Sequence, residues 1–300
     1  MYMSLIFYLS ENDGGFFCQI WKLVSNYLYA KKHNLQFLID DSKWLFKNKL
    51  GWRDYFTSLS LVSEQTTTCN PIHDQCNIED ARLNQFSLNE YINAIKEIFV
   101  FNSNMDNIYK KKKALLPDMY NSIMIRRGCK MYGESKYIST DNYVKKLIEI
   151  NNFDIFVQTD DYTAYEEVCK VVKDYSLNIN VTTTCPLTQR GAFVFNYQPN
   201  IGSPISNLNN EYLLNLKNVN QKSINSYSPE EMKEHVEEML IGLKLCAESN
   251  YLVTDFQSNV TRFLLCIHNN PAHILSIGDV NQPLFNVPLK CPAHGFITSL

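Results

Sequence analysis

The sequence lacks a long apolar run near its start. The stretch from Leu5 to Leu9 ends at the polar residues 10–13, whereas a membrane-spanning helix needs about 20 predominantly apolar residues. No basic segment precedes this stretch and no small-residue cleavage site follows it. We therefore expect neither a signal peptide nor a membrane span, and we expect a cytoplasmic location.

Charge of one sign is not in excess. The 300 residues include 28 lysines and arginines against 31 aspartates and glutamates, for a net charge of −3. No overall field favours nucleic acid or an anionic membrane, so any anion site must be local. Lys110–Lys113 are typical of a solvated helix face or linker, with nucleic-acid contact as the alternative. We expect no nucleic-acid partner.

Several motifs of known chemistry are missing. The nine cysteines are scattered without a C-x-x-C pair, which is typical of a reducing compartment. Cys69, His73 and Cys76 come nearest to a zinc site, but a structural zinc ion normally takes four ligands. The sequence contains no Walker motif, no G-x-G-x-x-G fingerprint and no recognisable Ser/His/Asp arrangement. We expect no metal and no bound cofactor.

The apolar pattern predicts two α/β domains. A strand over 5–9, a glycine turn, a helix and a strand over 35–39 form a βαβ unit, which implies a parallel sheet. The second half again alternates strands and helices. We predict an N-terminal domain over 1–113, a C-terminal domain over 114–268 and a proline-containing tail over 269–300 that packs back on the body. Two such domains normally meet at a cleft.

Polar side chains follow three strands predicted in the second domain. Arg126 and Arg127 follow the first, and an arginine pair at a strand end suits a diphosphate, although two surface arginines paired with acids would look the same. Asp160 and Asp161 follow the second strand and either orient the arginines or cap the next helix.

The third cluster includes Ser258 and Asn259, at the predicted start of a helix. Orphan N–H groups there favour an anion, whereas an ordinary N-cap is the alternative. Because ligands of parallel sheets bind outside the carboxyl ends of the strands, the three clusters together predict one anion site.

These motifs resemble those of the α1,6-fucosyltransferases, the core and nodulation enzymes. Residues 126–134 are similar to H-x-R-R-x-D-K-x-x-x-E, residues 159–161 match T-D-D, and residues 255–262 resemble T-F-S-S-Q-V-x-R. Order and approximate spacing agree over most of the chain from residue 14 to about 265. The resemblance implies a GT-B-like fold of two Rossmann-like α/β domains facing a central cleft.

The resemblance also implies a function. It indicates an inverting, metal-independent glycosyltransferase that moves a sugar, with fucose favoured, from a nucleotide diphosphate, with GDP favoured, to a hydroxyl group of a glycan acceptor. An inactive binding protein of the same fold, or a transferase using another nucleotide sugar, are the alternatives. The missing leader and span favour a bacterial or viral glycan-synthesis enzyme.

Roles follow by matching positions. The resemblance assigns the donor β-phosphate to Arg126, with Arg127 in support. It assigns diphosphate contacts to Ser258 and Asn259, and a donor contact to Tyr143. Organisation of the basic pair falls to the carboxylates Asp160 and Asp161.

Two further positions carry the chemistry, and three depart from the pattern. Glu134 matches the catalytic base, and Lys130 would hold that base or the acceptor. The family's acid before the lysine is Cys129 here, its histidine before the arginine pair is Met124, and the acid that reads guanine falls at Gly242. UDP or dTDP donors and other sugars therefore stay open.

Overall fold

The chain forms two compact units. A computed structural model describes residues 4–11, 15–62, 71–72, 86–128, 137–192, 223–256, 258–277, 289–290 and 296–297. One unit comprises residues 1–107 and 282–300, and the other comprises residues 108–281.

The first unit contains a four-stranded parallel sheet with the strand order β3-β2-β1-β4. The helix over Leu88–Ile98 starts with a capping box, in which Ser87 and Glu90 satisfy each other's backbone N–H groups. The elements are β1 (Ser4–Tyr8), α1 (Phe16–Lys32), β2 (Gln36–Asp40), β3 (Ser60–Leu61), β4 (Pro71–Ile72), α2 (Leu88–Ile98) and α3 (Ser103–Lys113).

The second unit contains a five-stranded parallel sheet with the order β7-β6-β5-β8-β9. The strands that follow β5 are therefore added first on one side of it, as β6 and β7, and then on its other side, as β8 and β9. The elements are β5 (Asn121–Ile125), α4 (Thr140–Ile148), β6 (Ile155–Thr159), α5 (Tyr162–Asp174), β7 (Val181–Thr183), α6 (Pro229–Ala247), β8 (Leu252–Thr254), α7 (Asn259–Ile267) and β9 (Ile274–Ser276). A short antiparallel pair, β10 (Leu289–Lys290) and β11 (Phe296–Ile297), follows.

The core of the second unit lies on both faces of this sheet. Every residue of β5, β6 and β8 is buried, as expected for central parallel strands. Alternate residues such as Ile123 and Val157 pack with α4 and α5, while Gln158 faces α6, where it meets Gly242. Among the described helices, none is long and apolar enough to cross a membrane.

The α/β class and the Rossmann-like parallel sheets are confirmed. The division between the units falls inside α3, whereas the sequence placed it at Lys113, the last residue of that helix. The predicted tail also differs, because residues 274–276 form the edge strand β9 beside β8. A three-residue strand among prolines gives too short an apolar pattern to be recognised. The predicted cleft stays a prediction.

Candidate functional site

The three polar clusters lie at one edge of the second sheet. The strands that precede them, β6, β5 and β8, are direct neighbours, with Ile125 opposite Thr159 and Met124 opposite Thr254. Strands β6 and β7 follow β5 on one side of it, whereas β8 and β9 lie on its other side, so the order in which strands are added reverses between β5 and β8. Such a switch point opens a crevice at the carboxyl ends of the strands, where ligands of doubly wound sheets bind.

Asp160 holds this edge together. Its Oδ2 accepts hydrogen bonds from Arg126 Nη1 at 2.5 Å and from the Ala192 backbone N–H at 3.1 Å. Its Oδ1 accepts from the Arg127 backbone N–H at 2.7 Å. The carboxylate therefore fixes the Arg126 guanidinium and joins the β5 end to the segment after β7.

Arg126 has hydrogen-bond donors that the described residues do not use. Its side chain is 22% exposed, and its Nε is buried without a hydrogen-bond partner among the described residues. The residue lines a cavity of about 470 Å³. A buried N–H of a charged group is costly to leave unpaired, so this atom indicates that an acceptor, such as a phosphate oxygen, belongs at the strand edge.

Arg127 is held inside the unit instead. Its side chain is 2% exposed, and its guanidinium donates to the Ile138 carbonyl at 3.3 Å. The same group lies 4.3 Å from the Tyr137 ring centroid and 3.5 Å from Glu167. These contacts make it a support for the strand edge, and its assignment to the donor stays a prediction.

Gly128 lets the arginine segment approach its neighbour. Its φ is +63°, and a Cβ atom there would lie 2.5 Å from Ala192 N and 2.6 Å from Ala192 O. Since Ala192 also donates to Asp160, a side chain at Gly128 would push apart the contacts that orient Arg126.

Gly128→Ala is expected to lower the free energy of unfolding by more than about 2 kcal/mol, because left-handed backbone strain adds to the clash. Urea unfolding followed by circular dichroism measures the loss. Gly15→Ala is the control, since nothing lies within 4 Å of a Cβ there and its φ is −71°. An equal loss in both variants would contradict the structural role of Gly128.

Asp161 acts as a helix cap. Its side chain is 1% exposed, and its Oδ1 accepts from the Thr163 backbone N–H at 2.9 Å at the start of α5. Burial raises the pKa of Asp161 to about 6, despite the opposing effect of that hydrogen bond. The capping alternative therefore describes Asp161, while the neighbouring Asp160 organises the arginines.

This pKa makes stability depend on pH. The unfolded carboxyl titrates near pH 4, so between about pH 4 and 6 the folded chain keeps a proton that the unfolded chain has released. The free-energy contribution of Asp161 is thus fully present below pH 4 and is lost as pH rises through 6. Asp161→Asn, which can still cap, should gain on the order of 2 kcal/mol relative to the parent chain from pH 4 to 7.

Urea unfolding at pH 4, 5, 6 and 7 measures this difference. Asp141→Asn is the matched control, because hydrogen bonds from Lys145 and Tyr175 lower the pKa of Asp141. Its difference from the parent chain should run in the opposite direction with pH. A flat profile for Asp161→Asn would contradict the raised pKa.

Ser258 and Asn259 form the start of α7. The Ser258 hydroxyl accepts from the Thr261 backbone N–H at 3.3 Å and lies 3.2 Å from Thr261 Oγ1. Asn259 Oδ1 accepts from Arg262 at 3.3 Å. Ser258 is therefore an N-cap, as the alternative stated, and the helix dipole points its positive end towards the β8 side of the crevice.

Tyr143 lies deeper than a donor contact requires. Its ring is 3% exposed, in the cluster formed by α4, α5 and the sheet. Burial raises its pKa, with Arg127 opposing and Asp255 adding to the effect. The assignment to the donor stays a prediction. Glu134 and Lys130 lie outside the described residues, as do Cys69, His73 and Cys76.

The cavity beside Arg126 also contains residues that the sequence did not indicate. His235 and Glu238 on α6 line it, together with Tyr227, Gln158 and Thr184. Burial, and then the nearby Arg126 charge, lower the pKa of His235 to about 4, so the imidazole is neutral at pH 7. The sequence predicted the helix that carries His235 and Glu238, but no local pattern shows which face of a helix meets a cavity.

The architecture defines a GT-B-like fold of the fucosyltransferase type. Neither a protein-family model nor a curated protein sequence matches the chain. The fold is similar to NodZ α-1,6-fucosyltransferase soaked with GDP-fucose, with a TM-score of 0.54 at 10% identity over 89% of this chain and 93% of that chain.

Two other solved structures agree. Fucosyltransferase NodZ from Bradyrhizobium gives a TM-score of 0.53 at 10% identity, covering 89% of this chain and 93% of that chain. POFUT1 in complex with GDP-fucose gives 0.50 at 10% identity, covering 92% and 98%. The predicted fucosyltransferase-like fold is thereby confirmed.

Proposed function

We propose that this protein is a glycosyltransferase that moves a sugar, with fucose favoured, from a nucleotide diphosphate donor, with GDP favoured, to a glycan hydroxyl. The observation that carries the proposal is Arg126, which Asp160 fixes at the end of the central strand. Its Nε lies beside the cavity and has no hydrogen-bond partner within the described part of the chain. Support comes from the shared fold of enzymes solved with GDP-fucose.

The proposed reaction is an inverting transfer. The acceptor oxygen forms a bond to sugar C1 as the bond from C1 to the diphosphate breaks, and a base removes the acceptor proton. Glu134 is the proposed base, on the resemblance of its motif, and Lys130 is proposed to hold this base or the acceptor. Negative charge grows on the departing diphosphate, where a fixed guanidinium stabilises it.

We propose that the transfer needs no metal ion. Arg126 and the N-terminus of α7 supply positive charge on the two sides of the crevice, and both act on an anion without a bridging cation. The proposal expects the same rate in EDTA as in magnesium.

The test is turnover of nucleotide sugars in EDTA. Purified protein is incubated with GDP-fucose and a panel of glycans, and release of GDP is measured with transfer of the sugar by mass spectrometry. GDP-mannose, UDP-galactose and dTDP-rhamnose test other donors. Sugar transfer that depends on Arg126 supports the proposal. Tight diphosphate binding without turnover of any donor would favour the inactive binding protein instead.

A further inference from the structure

On the face of α6 at the cavity, the side chain of Gln158 occupies the space that a side chain at position 242 would take. Gly242 packs so closely on Gln158 that a Cβ at Gly242 would lie 1.6 Å from Gln158 Oε1. The position that the resemblance assigns to an acid is thus a gap filled by an amide from β6. Gln158 is 6% exposed and lines the cavity.

The amide of Gln158 has capacity to spare. Within the described residues its side chain has one hydrogen bond, which Oε1 accepts from Thr184 Oγ1 at 3.3 Å. An amide nitrogen carries two donors, and Gln158 lines the cavity. A ligand carbonyl in the cavity would accept a hydrogen bond from this nitrogen.

Glu238 adds an unused acceptor one helical turn before Gly242. Its Oε1 pairs with Lys112 at 3.3 Å, while its Oε2 is buried and lacks a hydrogen-bond partner in the described part of the chain. The residue lines the same cavity. Residues four apart lie on one helix face, so the carboxylate stands on the face that packs against Gln158.

Charges of both signs line the cavity. Arg126 at the strand edge attracts an anion, whereas Glu231, Glu234, Glu237 and Glu238 on α6 repel one. A nucleoside diphosphate therefore fits best with its phosphates at Arg126 and its uncharged base beside the acidic side chains.

We propose that Gln158 and Glu238 read the base of the donor and select guanine. A carbonyl beside two N–H donors, as in the O6, N1 and N2 edge of guanine, matches an amide donor beside a carboxylate acceptor. Uracil and thymine place carbonyl oxygens on both sides of a single N–H, and a carboxylate repels these. The inference rests on the proposed function and names the residues that give it specificity.

Calorimetry with GDP, IDP and UDP tests the proposal, since IDP lacks only the 2-amino group. The parent chain should bind GDP at least about 10-fold more tightly than IDP or UDP, because bonds to a charged acceptor are strong. Glu238→Gln should lower GDP affinity about 10-fold and raise UDP affinity, because the carboxylate that repels the uracil oxygens is gone. Gln158→Leu should weaken GDP and IDP alike.

Glu230→Gln is the matched control, because Glu230 is an exposed acid on the same helix and does not line the cavity. It should leave the GDP to UDP ratio unchanged, and circular dichroism confirms that each variant is folded. Equal affinities for the three nucleotides, with binding still lost in Arg126→Ala, would overturn the base assignment and leave the proposed function intact. Absence of binding by all three would overturn both.

Discussion

Arg126→Ala is expected to lower sugar transfer by about 100-fold or more, as loss of a fixed oxyanion donor does. The guanidinium lies at the edge of the sheet, and its Nε has no partner among the residues that the structure describes. The substitution should therefore mainly affect binding of the diphosphate. Asp160 keeps its bonds from the backbone of Arg127 and Ala192, and stability should fall by no more than about 2 kcal/mol.

Rates with GDP-fucose and affinities for GDP measure this effect. Arg126→Lys keeps the charge but loses the planar fork, so it should restore affinity only in part. Lys146→Ala is the control, because it removes a cation whose salt bridge with Glu149 is at the surface. A small change in both rate and affinity for Arg126→Ala would contradict the proposed binding of the donor diphosphate by Arg126.

Asp160→Ala should have a still broader effect, because one carboxylate holds three donors. Loss of these bonds leaves Arg126 without its orienting partner and two buried backbone N–H groups without an acceptor. We expect about 3 kcal/mol less stability, together with a fall in transfer of about 100-fold. Urea unfolding and the transfer assay measure the two effects.

The asparagine variant separates stability from function. Asp160→Asn retains a carbonyl oxygen that can accept from the Arg127 backbone, but it presents an amide without charge to Arg126. It should recover part of the stability and little of the activity. Asp118→Ala, which changes an exposed acid in the same unit, should alter neither. Full activity in Asp160→Asn would show that the charge of Asp160 is dispensable.

Much of the second unit could be predicted because its signals are local. Buried strands read as short apolar runs, and Ser258 and Asp161 precede helices in the positions that N-caps occupy. Parallel pairing alone predicted that the carboxyl ends of β5, β6 and β8 lie at the same edge of the sheet. Two roles assigned jointly were separated by the structure: Asp160 orients the arginines, while Asp161 caps α5.

The rest depended on tertiary contacts. No pattern in α6 shows that Gly242 is needed to admit Gln158, since the two are far apart in sequence. His235 belonged to no motif, yet it lines the cavity beside Arg126. Strand β9 was missed because its three residues lie among prolines and give too short an apolar pattern, and its pairing is decided by the sheet that it joins.

The strand order determines which parts of the sheet edge that carries Arg126 and Asp160 form first during folding. The Arg126–Asp160 pair joins β5 to β6, its nearest successor along the chain, whereas α7 reaches β5 only after β8 has docked from the far end of the unit. Contacts between distant segments form slowly, because the intervening chain must close first. Amide hydrogen exchange should therefore protect β5 and β6 earlier in refolding than β8 and α7. Anion binding would then tighten the last-formed part of the sheet.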